Sequence, residues 1–142
     1  MPSPSKPLLK DSRPSPAVRL SLLWASLMSL YIYNDYFSMY LPGTVEDMSA
    51  GRIGPLGEAS DLVLICVALV LAIPALMIFL SSALPPVLSR WSNVVFGCLY
   101  TLIEVLTFIG SRPFYQMVVA FEIVVTATIV WTALRWPRAE PQ

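Results

Sequence analysis

The chain has 142 residues, 56% hydrophobic and 13% charged, with nine basic and nine acidic side chains and no histidine. A soluble domain is about a quarter charged, so a surface this poor in charge is expected to face lipid, and a net charge of zero offers no field to gather nucleic acid. The missing histidine removes the commonest general base and metal ligand. Cys66 and Cys98 make no CxxC pair, and no phosphate-loop, dinucleotide or nucleophile-elbow motif is present.

Residues 1–17, "MPSPSKPLLKDSRPSPA", hold five prolines among Ser, Lys and Arg. Proline fixes φ and removes backbone donors, so this segment reads as a disordered cytoplasmic tail. The apolar stretch after it is too long for the core of a signal peptide.

Four apolar spans follow, at about 18–41, 61–84, 91–110 and 114–136. A bilayer core of about 30 Å needs about 20 helical residues, and each span is long enough. Pro42-Gly43, Pro85-Pro86 and Arg112-Pro113 punctuate the breaks. The short turns between spans two, three and four require antiparallel hairpins. The expected fold is all-α: a four-transmembrane-helix bundle running up-down-up-down. With both termini in the cytoplasm, that side collects Lys6, Lys10, Arg13, Arg19, Arg90, Arg135 and Arg138, and the outside keeps Arg52 and Arg112. That is the positive-inside bias. Trp24, Trp91, Trp131 and Trp136 then fall near the inner interface as anchors.

The outer loop, residues 42–60, contains Thr44 and Asp47 at capping-box spacing and Gly51 as a helix stop. A one- or two-turn helix over 45–50 would lie across the outer mouth; a flexible connector is the other reading. In span two, Ala68, Ala72 and Ala75 suit close helix packing, and Pro74 should kink the helix. Cys66 and Cys98 differ in depth by about 10 Å. They read as small packing residues and not as a disulfide.

Three acids lie inside apolar spans: Asp35, Glu104 and Glu122. At 1.5 Å per residue all three sit roughly 9–12 Å below the outer boundary. Span three carries a polar stripe, Asn93, Gly97, Tyr100, Thr101, Glu104, Thr107 and Ser111, at helical spacing. Tyr31, Asn34 and Asp35 share a region of span one, and Tyr115, Glu122 and Thr126 a face of span four. Each acid has a donor one turn away: Tyr31 for Asp35, Tyr100 for Glu104, Thr126 for Glu122. The eight residues Asp35, Glu104, Glu122, Asn34, Tyr31, Tyr100, Thr107 and Thr126 are the candidate ligand-binding set. An ionised carboxylate in the bilayer core costs at least a few kcal/mol. Either most of the acids are protonated or a cation compensates, and Arg112 and Arg52 are the nearest in the chain. A helix-joining acid cluster, a ligand or ion site, and a proton relay all remain open.

The stretches "VRLSLLWASLMSLYIYNDYFSMYLPG", "EDMSAGRIG", "LPPVLSRWSNVVFG" and "FEIVVTATIVWTALRWP" resemble an uncharacterised bacterial family of small four-helix integral membrane proteins, classed as a domain of unknown function. The resemblance covers about residues 18–137. It includes the acid after the tyrosines (Asp35), the run Arg90, Trp91, Ser92, Asn93, and the acid of span four (Glu122). In architecture it is similar to the DoxX-like group, some members of which associate with quinone or thiol redox enzymes. It implies a multi-pass protein of the bacterial inner membrane and no particular chemistry or cofactor. The functional alternatives are a site for a small polar or cationic ligand or ion, and an accessory subunit beside a membrane partner, such as a redox complex, or a second copy. Without histidine or a cofactor motif, an enzyme would have to work with carboxylates and tyrosines alone.

Overall fold

The computed structural model describes residues 13–137. Lys6, Lys10, Arg138 and the first twelve residues of the expected tail lie outside them. Four long helices carry the fold: α1 (Pro16–Ser38), α3 (Asp61–Ala83), α4 (Pro86–Phe108) and α5 (Pro113–Leu134). Between α1 and α3 lie a short helix, α2 (Thr44–Ser49), and a two-stranded antiparallel hairpin, β1 (Arg52–Ile53) with β2 (Gly57–Glu58), closed by a 3-10 turn over Gly54–Leu56.

Helix starts follow the prolines. Pro16, Pro86 and Pro113 sit in the first turns of α1, α4 and α5, where a missing N–H costs nothing and φ is already helical. Thus α4 begins five residues before the expected start at Trp91, and α1 takes in the last two residues of the expected tail. Ser15 and Ser60 cap α1 and α3 through their hydroxyls. The break between α4 and α5 uses Gly110 at φ +82°, a conformation that favours glycine.

Helices α3, α4 and α5, of 23, 23 and 22 residues, are each long and apolar enough to cross a membrane. At 1.5 Å per residue they span more than 30 Å. Their outward faces are apolar, with Leu62, Ile65, Leu69 and Phe79 on α3, Leu102 and Leu106 on α4, and Phe121 and Val124 on α5 exposed. Helix α1 is equally long but carries more polar residues.

Packing follows chain order. α1 lies against α3 and α5, and α4 against α5 and, more lightly, α3. Cross-helix bonds give the directions: Trp24 meets Asn93, and Tyr31 meets Glu104, so α1 and α4 run parallel. Tyr100 meets Val70, and Ser89 meets Ser81, so α3 runs against them.

The core is a layer of Leu20, Trp24, Leu27, Met77, Tyr100, Ile129 and Ala133. Trp24 corrects the interface-anchor expectation. It is fully buried, its ring meets Tyr100 edge-on at 5.8 Å, and its Nε1 donates to Asn93 Oδ1 at 2.7 Å. Ser81 Oγ donates to the same Oδ1, while Asn93 Nδ2 donates to the Ser89 carbonyl. One amide therefore links α1, α3 and α4, and a buried indole N–H has the partner it needs. Trp91 and Trp131 are exposed, with the Arg90 and Arg135 guanidinium groups 5.5 and 4.0 Å from their rings.

Two other expectations are overturned. Ala68 and Ala75 point outward and Ala72 is half-buried; α3 buries Pro74, Met77 and Ser81 instead. Cys66 and Cys98 are free, as expected, but exposed and not packed inside. Gly97 makes the close approach on α4: a Cβ there would lie 2.8 Å from Val130 Cγ2 and 3.2 Å from Ile129 Cγ2.

Candidate functional site

Where α1, α4 and α5 turn toward the loop end, their polar residues surround a cavity of about 170 Å³. α4 presents Ser89, Asn93, Gly97, Tyr100 and Glu104 inward at spacings of four, four, three and four, so one side of this helix is polar along its length. α5 buries Glu122 three residues after Val119 and four before Thr126.

Seven of the eight candidate residues line the cavity: Tyr31, Asn34, Asp35, Tyr100, Glu104, Thr107 and Glu122. Thr126 does not. It is buried one turn further along, and its hydroxyl donates to the Glu122 and Ile123 carbonyls of its own helix. Val70, Leu71, Ile103 and Tyr115 complete the wall. Tyr115 carried a signal, since it sits on the Glu122 face, seven residues before it. The apolar three carried none, because helix faces alone do not say which aliphatic residues border a void.

The hydroxyl donors serve other acceptors than their helical neighbours. Tyr31 donates across to Glu104 Oε1 on α4 and not to Asp35. Tyr100 donates to the Val70 carbonyl on α3 and not to Glu104. Thr107 donates back to the Ile103 carbonyl at 2.8 Å. The reason is rotational. Leu20, Trp24 and Leu27 seat α1 against α3 and α5, which turns Asn34 inward to 5% exposure and leaves Asp35 exposed at the rim.

Glu104 and Glu122 are 4% and 1% exposed. The Glu122 carboxyl faces the Glu104 carboxyl and the Asn34 amide, and lies within electrostatic range of Asp35; the Tyr115 hydroxyl faces Asn34. Among the described residues no basic group pairs with these acids. Arg52 pairs with Asp47 on the loop at 2.6 Å, and Arg112 is exposed at the start of α5. Two buried oxygens in this wall have no hydrogen-bond partner, Asn34 Oδ1 and Glu122 Oε1. Such atoms are costly unless something donates to them. No group of three or more acidic or cysteine side chains poised to hold a metal ion is found among the described residues.

Beyond the rim, α2 and the hairpin fold over the end of α1. Thr44 is the first residue of α2 and not its cap; Gly43 holds the cap position without a side-chain bond, so the expected capping box does not form. Asp47 binds Arg52 instead. Gly51 stops the helix at φ +69°, as expected.

Residues 14–141 match DUF6326, a family of unknown function, and the chain belongs to it. No curated protein and no solved structure matches the chain.

Proposed function

For this member of a family without a known activity, we propose an integral protein of the bacterial inner membrane that crosses four times, with both termini in the cytoplasm, and holds a small polar or cationic ligand between its helices near the outer face. Four crossings require α1 as the fourth span. Its outward serines support this: Ser26 and Ser29 donate to the carbonyls of Leu22 and Ala25 at 2.9 and 3.0 Å, which satisfies them inside their own helix and lowers the cost of facing lipid. Arg90 and Arg135 beside exposed Trp91 and Trp131 suit a headgroup boundary at the cytoplasmic end.

The observation that carries the ligand reading is the pair of unpartnered buried oxygens, Asn34 Oδ1 and Glu122 Oε1, in the wall of a cavity that also holds two facing carboxyls. Acids inside a membrane domain are expensive.

The test is thermal unfolding of the purified protein in mild detergent, with mass analysis of small molecules that co-purify. A stoichiometric bound molecule whose stabilisation disappears in Glu104→Gln, while that variant still inserts and folds, supports the site. A Glu104→Gln protein with the stability and pH response of the unaltered protein would mean that the acids only hold helices together.

A second reading, a non-catalytic accessory subunit, draws on a different feature. An apolar groove of about 460 Å³ runs between α4 and α5 on the outward surface, lined by Cys98, Leu102, Val105, Ala127, Val130 and Trp131 among others. A membrane protein that stays bound through purification at fixed stoichiometry would favour that role.

A further inference from the structure

A second cavity, of about 700 Å³, lies under α2 and the hairpin, bordered by Tyr36 of α1, Met39 just after it, Asp47 of α2, and Arg52 and Ile53 of the hairpin. Asp35 borders both this vestibule and the inner pocket. We infer that the pocket takes a small protonated amine or amidine from the loop side, that the vestibule is its entrance, and that Asp35 is the carboxylate it passes on the way in. This inference rests on the ligand site proposed above and adds its chemical class and its route.

Hydrogen-bond accounting sets the class. The hydroxyls of Tyr31, Tyr100 and Thr107 already donate to protein acceptors. The Tyr115 hydroxyl faces the Asn34 amide. The buried side-chain atoms of this wall without a partner, Asn34 Oδ1 and Glu122 Oε1, are both acceptors. The complement of such a wall is a donor-rich group. Charge points the same way: among the described residues carboxyls supply the pocket's only charged side chains, and repulsion between facing carboxylates is relieved by a proton or a cation. In the vestibule Arg52 is neutralised by Asp47 at 2.6 Å, which among the described residues leaves Asp35 as the unopposed charge of a lining that also holds Tyr36. A carboxylate next to an aromatic ring is a station for an organic cation.

Size and shape limit the ligand further. A cavity of about 150 Å³ holds benzene, so 170 Å³ suits a molecule of a few heavy atoms. On the far side, the buried side chains of Tyr100, Trp24, Leu27 and Met77 fill the next layer. That packing closes the inner end of the pocket.

The test uses the full chain in nanodiscs, with Cys66→Ser and Cys98→Ser as background; both cysteines lie on outward surfaces. Ethylammonium and acetamidinium chloride should raise the unfolding temperature in a saturable manner, and sodium acetate and glycerol should not. Glu122→Gln should abolish the rise. Stabilisation by acetate or glycerol instead would overturn the amine class, yet leave a ligand site in place. For the route, Asp35→Cys in oriented vesicles should react with a membrane-impermeant trimethylammonium thiol reagent added from the loop side, and the modified protein should lose its response to ethylammonium. Because Asp35 is exposed, this variant should fold. A cysteine that stays unmodified, or a modified protein that still responds, would overturn the entrance, whether or not Glu104→Gln upholds the site.

Discussion

The Tyr100 hydroxyl on α4 donates to the Val70 carbonyl on α3, the carbonyl that Pro74, four residues on, leaves without its helical N–H. Proline inside a helix removes one backbone bond, and in a membrane the freed acceptor needs a substitute. Tyr100 is that substitute, and it also closes the inner end of the acid pocket. Replacing Tyr100 with Phe should therefore cost about 1–3 kcal/mol, the penalty for an orphaned buried acceptor. In a Pro74→Ala background, residue 74 can bond Val70 itself, and the same change should cost much less. Reversible unfolding in mixed micelles measures the cycle; equal costs in both backgrounds would sink the compensation argument.

Asn93 joins three helices through Trp24 and Ser81. Asn93→Leu strands an indole N–H in the core and should destabilise by about 1–3 kcal/mol. Adding Trp24→Phe removes that orphan, so the double variant should lose less than the sum of the singles. Additive losses would show that the indole bond contributes nothing.

Gly97 admits Val130 and Ile129 to the backbone of α4. Gly97→Val should force α4 and α5 apart and cost about 1–3 kcal/mol. Gly97→Ala should cost less, because better helix propensity, worth up to about 1 kcal/mol, offsets part of the clash. Thermal unfolding of the two variants should rank them in that order, and an unchanged Gly97→Val would refute the close approach.

The proposed four-crossing topology makes a simple statement about compartments. Reporters fused after Gln142 and within residues 1–15 should be active in the cytoplasm, and one at Gly51 should be exported. An exported C-terminal reporter would leave three crossings, those of α3, α4 and α5, and would remove the outer location of the pocket.

The Asp47–Arg52 ion pair joins two half-exposed side chains at 2.6 Å. Such pairs contribute less than about 1 kcal/mol, so Arg52→Gln should leave global stability nearly unchanged. Its effect belongs in the vestibule: with Asp47 released, ethylammonium should bind more tightly at low salt. Weaker binding would mean that Arg52 does more than neutralise Asp47.

By itself the sequence determined what depends on one helix at a time. Apolar runs long enough to span about 30 Å, prolines at helix starts, and the three-and-four spacing that sets Asn93, Gly97, Tyr100 and Glu104 on one side of α4 are local properties, legible without neighbours. Tertiary structure decided how each helix is turned and which group meets which. Asn34 and Asp35 differ by one residue, about 100° of rotation, and only the seating of Leu20, Trp24 and Leu27 against α3 and α5 sends the amide inward and the carboxylate to the rim. The same seating gives Tyr31 to Glu104, buries Trp24 in the core, and turns Ala68 and Ala75 outward. Helical periodicity assigns residues to faces; the choice of face and partner comes from the side chains of the other helices, far away in the chain.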